Sequence, residues 1–262
     1  MIHNFDPILL TIGPLPIRWY SLAYIAGIVL GLVYIKFLAK KAKLDFPPQF
    51  LDNLFCVCII GIIVGGRLGH VLFYNPLEYF QNPIEILKTW HGGLSFHGGL
   101  IGSIFAIILV SKHYKVDYWK LLDLAACAGP IGIFFGRMAN FINGELFGKS
   151  TNISWGVIFS NTGGGSIARH PTQIYEALTE GLLLFMLLNF FLFEYKLYKK
   201  PRMLSALFCI FYSLFRFGIE FLKEPDLSFG YIFEYFTMGQ VLSALLLLVG
   251  LIIARVALIT NK

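Results

Sequence analysis

Residues 236–258 read Phe-Thr-Met-Gly-Gln-Val-Leu-Ser-Ala-Leu-Leu-Leu-Leu-Val-Gly-Leu-Ile-Ile-Ala-Arg-Val-Ala-Leu, and Arg255, near the far end, is the only charge. A helix of about 20 apolar residues is as long as the hydrocarbon core of a bilayer is thick, roughly 30 Å. A surface helix of a soluble protein would carry a polar face, and this stretch has none. It therefore reads as a membrane span. Working outward from it, six further stretches have the same character, at about 18–38, 54–74, 94–111, 121–142, 174–195 and 203–222. The fourth is the least apolar and carries Gly, Asn and Arg together, which suits a helix that lines a site. The expectation is one all-α polytopic membrane domain over residues 1–262, with seven transmembrane helices.

Composition agrees with this. Of the 262 residues, 57% are hydrophobic and 14% charged, too few charges to coat a soluble globule. Disorder, a collagen-like repeat and a disulfide scaffold are excluded by the same figures. The four cysteines (Cys56, Cys58, Cys127 and Cys209) lie in apolar spans and read as small buried hydrophobes. The first span follows no basic segment and precedes no small-residue cleavage site, so it reads as a span rather than a leader.

The net charge of +6 invites a nucleic-acid partner, but the positions of the basic residues argue against one. Thirteen Lys and Arg fall on one side of the seven spans and five on the other. By the positive-inside rule the carboxyl end is cytoplasmic and the amino end outside, as an odd number of spans requires. On the outer side the longest connection, about 143–172, is expected to form a small head, with a short strand within Trp155–Phe159.

Three arginines remain, and all lie inside spans: Arg67, Arg137 and Arg216. Each costs about 2.5–3.5 kcal/mol to insert at a helix centre. Arg67, within Gly65-Gly66-Arg67-Leu68-Gly69, suits either close helix packing or a functional role. Arg216 has Glu220 one turn on, an i,i+4 partner. Arg137 has no acid within a helical turn, which favours an anionic ligand. A permanently charged planar guanidinium suits phosphate above all, and phospholipid headgroups carry it.

Four glycines flank His97 in Trp90-His91-Gly92-Gly93-Leu94-Ser95-Phe96-His97-Gly98-Gly99, at the outer start of span three. A histidine, with an ordinary pKa of about 6.5, serves either as an interfacial residue bonded to a carbonyl or as a proton acceptor near neutrality. Two more polar clusters belong to the same half: Arg169-His170-Pro171-Thr172-Gln173-Ile174-Tyr175-Glu176, and Glu220 through Asp226. The chain has no H-E-x-x-H, no G-x-S-x-G and no G-x-x-x-x-G-K-[ST], so zinc, serine-elbow and ATP chemistry lack their usual residues.

The run Gly136-Arg137-Met138-Ala139-Asn140-Phe141-Ile142-Asn143-Gly144-Glu145-Leu146-Phe147-Gly148 resembles the signature of the prolipoprotein diacylglyceryl transferases. Four more blocks resemble that family in the same order: Ile17-Arg18-Trp19-Tyr20-Ser21-Leu22, the H-G-G-L-S-F-H-G-G block, R-H-P-T-Q-I-Y-E, and Tyr212-Ser213-Leu214-Phe215-Arg216-Phe217 through Glu220. The resemblance implies a multi-pass enzyme of the bacterial cytoplasmic membrane with its active site toward the outer half. It implies transfer of diacylglyceryl from phosphatidylglycerol to the thiol of a prolipoprotein lipobox cysteine, forming a thioether and releasing glycerol 1-phosphate. No cofactor or metal is implied. Arg137 and Arg216 then bind the headgroup and stabilise charge, and His97 is the proposed base. Tyr20, Asn140, Gly148, Tyr212 and Glu220 match further substrate-binding positions. Lys223 stands where the family commonly has Arg, keeping the charge but not the fork, and is left outside the expected core site. The rival reading is a transporter of lipid or a small anion that uses the same arginines. A purely structural membrane scaffold would leave those arginines unexplained.

Overall fold

The computed structural model describes every residue except 45, 74–75, 90–92, 94, 225–230, 233–234 and 261–262. The chain is helical and multi-pass. Among the described residues, six helices are long and apolar enough to cross a membrane: Trp19–Lys41, Phe50–Leu72, Tyr118–Asn143, Thr172–Phe193, Met203–Glu220 and Met238–Thr260. The expected third span is also an apolar helix, Gly98–Tyr114 over its fully described residues. Large apolar side chains on these helices are exposed, among them Ile25, Val33, Leu251 and Ile259. Such a surface is an aggregation hazard in water and the expected one against lipid tails.

The helices divide between two compact units, Met1–Leu38 with Asp123–Lys262, and Ala39–Leu122. In the first, strands β1 (Ile8–Ile12) and β2 (Leu15–Arg18) form a hairpin leading into α1 (Trp19–Lys41). Gly13, at φ +58°, turns it, a conformation that glycine adopts freely. Helix α5 (Tyr118–Asn143) carries the arginine signature, and Gly132 on it allows Gly27 of α1 to approach closely. The expected fifth span begins as α6 (Thr172–Glu176), passes through a π-helical turn at Ala177–Leu183, and ends as α7 (Leu184–Phe193). Leu184, Leu188 and Leu192 of α7 and Leu204 of α8 (Met203–Glu220) are fully buried.

The starts of the last two long helices have identifiable caps. Asp123 of α5 accepts hydrogen bonds from the Arg202 and Ser205 amides, both at 2.8 Å, and from Ser205 Oγ at 2.6 Å, so it caps α8 from a neighbouring helix. Helix α9 (Met238–Thr260) opens with a reciprocal capping box: the Thr237 amide donates to Gln240 Oε1 and the Gln240 amide to Thr237 Oγ1.

Short antiparallel strand pairs accompany the helices. Strand β3 (Val157–Ile158) pairs with β4 (Ala168–Arg169), the former within the stretch read as a strand. A third pair joins β5 (Tyr231–Ile232) to β6 (Phe236–Thr237). The 144–171 connection is tied down at its edges. The His3 amide donates to the Ile158 carbonyl and the Ile158 amide to that of Met1, both at 2.9 Å. The fully buried His3 ring bonds the Phe141 carbonyl at 2.7 Å and packs among Phe5, Phe141 and Phe159.

In the second unit α2 (Phe50–Phe73) is followed by the short α3 (Pro76–Gln81), and α2 packs on α4 (Phe96–Tyr114) through glycine. A Cβ on Gly65 would strike the Gly98 carbonyl oxygen and lie 2.9 Å from Gly102 Cα. Small residues let helix backbones meet where lipid supplies no hydrophobic drive. A cluster of Phe50, Leu54, Ile107, Val110 and Leu121 fills the opposite end of the pair.

Candidate active site

Arg137 sits in the last two turns of α5, on a helix face that meets α6 and the π-helical turn. Glu176 ends α6 and Glu180 lies one turn on; neither carboxylate has exposed surface. Arg137 Nε is 3.3 Å from Glu176 Oε2, and its Nη2 is 3.5 Å from Glu180 Oε2. Arg216 of α8 donates from Nη1 to Glu176 Oε1, lies 3.8 Å from Glu180 Oε1, and pairs through Nη2 with Glu220 Oε2 at 3.2 Å. Lys223, just past α8, donates to Glu176 Oε1 at 3.2 Å. Three cations and three carboxylates thus meet around one buried glutamate.

This corrects one expectation. Arg137 has no acid near it in sequence, yet folding supplies two from another helix. The anticipated Arg216–Glu220 pair is present, and Glu176 and Glu180 join it. Desolvating such a group is costly unless every charge is paired, and here the pairing is dense. The Arg137 and Arg216 side chains keep 19% and 16% of their surface exposed, whereas Glu176 and Glu180 keep none.

Lys223, set aside on sequence grounds, therefore belongs to the cluster. Burial and the adjacent Arg216 charge hold its ammonium below the ordinary lysine range, against the pull of Glu176. Glu180 escaped the sequence reading altogether, although the rule that singled out the arginines applies to an acid in an apolar span as well.

The other expected residues gather at the same end of this unit. Asn140 Nδ2 donates to Glu145 Oε1 at 2.8 Å, and Asn143 Nδ2 to the same atom at 3.2 Å, closing the turn that follows α5. The Tyr20 hydroxyl is 3.1 Å from that of Tyr24 and within electrostatic reach of Glu145 and Arg137. Tyr212, one turn before Arg216, stacks on Phe208. Gly148 has a packing role: its amide donates to the His170 carbonyl at 2.8 Å, and a Cβ there would strike the Leu222 carbonyl and crowd Thr172 Cγ2 at 2.7 Å. It pairs with Lys223 in an antiparallel bridge, so the glycine seats the segment that carries the lysine.

His97 stands in the first turn of α4 in the second unit; its side chain lies outside the described residues. So do Trp90, His91, Gly92 and Leu94 of the same block, and Pro225 and Asp226 after Lys223. Among the described residues no cluster of His, Cys, Asp and Glu is arranged to hold a metal ion.

What these side chains can do is hold an anion on a paired-arginine face at the end of a helical bundle. Comparison with known proteins meets that geometry. Residues 7–256 match the family described as prolipoprotein diacylglyceryl transferase. A Rickettsia felis protein named phosphatidylglycerol–prolipoprotein diacylglyceryl transferase is 50% identical over 247 residues, 94% of this chain and 95% of its own length. Proteins of the same name from Rickettsia bellii and Rickettsia typhi are 50% and 49% identical over 248 and 250 residues, 95% of this chain in each case and 94% and 96% of their own. The chain belongs to the prolipoprotein diacylglyceryl transferase family.

Proposed function

We infer that this chain transfers the diacylglyceryl group of phosphatidylglycerol to the thiol of a prolipoprotein's lipobox cysteine. The observation that carries the reading is the convergence of Arg137 and Arg216, from two helices, on Glu176 of a third. Each of the three lies in a sequence block typical of the family. In the reaction the cysteine sulfur attacks the glycerol carbon bonded to the phosphate oxygen. A C–S bond forms, the C–O bond breaks, and glycerol 1-phosphate leaves with one more negative charge than the diester carried. Fixed cations at that oxygen favour the transition state over the ground state. Arg137 and Arg216 supply them, and Lys223 adds a third.

The thiol, with an ordinary pKa of about 8.5, is mostly protonated at neutral pH. His97, among its glycines at the start of α4, is the residue proposed to accept that proton. Glu176 and Glu180 touch no reacting atom in this scheme; they position the arginines. Seven crossings, with the head and the arginine face on the outer side of the cytoplasmic membrane, suit a substrate that arrives by secretion. The excess of basic residues on the opposite side supports that orientation.

A release assay tests the reading. In phosphatidylglycerol liposomes, glycerol phosphate should appear only when a peptide with a lipobox cysteine is added. Lipid movement without peptide, and no release with it, would instead indicate a transporter.

A further inference from the structure

The third buried arginine does different work from the other two. Arg67, 4% exposed on α2, turns its guanidinium toward main-chain carbonyls. Its Nε donates to the Ile86 carbonyl at 2.9 Å, Nη1 to that of Gly93 at 3.1 Å, and Nη2 to those of Glu85 and Lys88, the latter at 3.3 Å. Glu85 and Ile86 belong to the short 3-10 helix Pro83–Leu87, and Lys88 caps it. Carbonyls at a helix end are short of intrahelical partners, although that of Glu85 also accepts from the Lys88 amide at 3.1 Å, and a cation is a natural donor to them. The guanidinium also lies 5.0 Å from the centre of the Tyr79 ring.

These bonds hold Glu85, Ile86 and Lys88 on one side and Gly93 on the other. The next fixed point follows at once: the Ser95 amide donates to the Gly66 carbonyl of α2 at 2.8 Å, and Ser95 Oγ caps α4 by accepting from the Gly98 amide at 3.3 Å. Two adjacent residues of α2, the Arg67 side chain and the Gly66 backbone, thus hold Gly93 and Ser95, which precede the turn that carries His97. Gly93 completes the lock. Its φ of +79° suits glycine, and a Cβ there would lie 2.6 Å from the His70 ring and 3.0 Å from Arg67 Nη1.

We propose that Arg67 is a positioning residue for His97, fixing the chain that leads into α4 through its carbonyl bonds, and that it does not bind the phosphate of the lipid. This rests on the reading of His97 as the proton acceptor. The two functions of buried arginine are then divided, with carboxylate-backed arginines for substrate and a carbonyl-bound arginine for the backbone.

The test uses the full-length enzyme in phosphatidylglycerol liposomes with a lipobox cysteine peptide, comparing Arg67→Met, Arg67→Lys, Gly93→Ala and His97→Gln across pH. A base displaced by about an ångström costs on the order of 100-fold. Arg67→Met should lose that much of kcat near pH 7, with KM for phosphatidylglycerol unchanged. Its deficit should shrink toward about pH 9, where the thiol ionises unaided, in step with His97→Gln. Arg67→Lys, with fewer donors and no fork, should lose less on the same profile. Gly93→Ala should follow that profile too, and these two variants carry the test if the Met variant fails to fold. A raised KM with kcat intact would make Arg67 a phosphate ligand and overturn the proposal. So would a deficit that stays constant with pH while that of His97→Gln shrinks. Wild-type turnover by Arg67→Met beside an impaired His97→Gln defeats the positioning role alone. Wild-type turnover by His97→Gln near pH 7 defeats the proton-acceptor reading and this proposal with it.

Discussion

Arg216 closes its guanidinium on Glu176, a carboxylate with no exposed surface, and so ties α8 to the end of α6. Arg137 and Lys223 reach the same carboxylate. Glu176 is therefore the anchor about which the cations are arranged, and its loss should be felt as instability before it is felt as chemistry. Removing one partner of a buried pair strands the others, at a typical cost of about 3–5 kcal/mol. Glu176→Gln should lower the thermal unfolding midpoint in detergent markedly. An unchanged midpoint would mean that the cluster is not held by this carboxylate.

Arg137→Ala should leave the fold in place, since its guanidinium is the more loosely paired of the two. Transfer of labelled diacylglyceryl to a lipobox peptide should fall by about 100- to 1,000-fold, as when a donor to a developing oxyanion is removed. Full activity in liposomes would end the assignment of Arg137 to the leaving phosphate.

His97→Gln should be impaired near pH 7 and recover as pH rises toward about 9, because the thiol then ionises without help. A variant that is normal at neutral pH and impaired at alkaline pH would have the wrong sign for a general base.

Lys223 makes the alkaline limb informative. Its folded pKa lies below the ordinary lysine value of about 10.4, so the site loses a cation earlier than a free lysine would. Across the window between its folded and ordinary values the unfolded chain binds more protons, so stability rises with pH and is lost as pH falls. Activity that depends on the cation moves the opposite way, falling as pH rises through the folded pKa. Lys223→Arg should keep its charge, carry transfer to higher pH, and remove this lysine's contribution to the rise in stability. Paired activity and melting profiles of the two enzymes check both signs.

Gly148→Ala should destabilise by about 1–3 kcal/mol, as overpacking does, because the added methyl meets the Leu222 carbonyl, Thr172 and His170 together. The melting midpoint measures this. A stable but inactive variant would assign Gly148 to substrate contact.

Apolar length located the helices well, since the bilayer leaves few alternatives to a helix. Boundaries moved by a few residues where local chemistry rather than hydropathy decides them, as at the Thr237–Gln240 box, which starts α9 at Met238 rather than 236. Gly13-Pro14 was a turn signal in plain view, but its hairpin strands are too short to stand out beside a long span. Among the site residues, Arg137 and Arg216 declared themselves by being charged where charge is costly. Glu180 carried the same signal. What sequence does not contain is the partner across a helix interface: nothing within a turn of Arg137 indicates that Glu176 and Glu180 will face it. Arg67 shows the converse, because its partners are carbonyls, which every residue has and which no composition can flag.

The buried His3 ring has a consequence for synthesis. It bonds the carbonyl of Phe141, 138 residues later, and its backbone pairs with Ile158. Translation therefore delivers one half of this contact while α1, α2, α4 and α5 have yet to be made and inserted. The first few residues must wait, unpaired, at the membrane face until the ribosome has passed the middle of the message. Closing them over Phe141 and Phe159 then marks that the helix bearing Arg137 has reached its place.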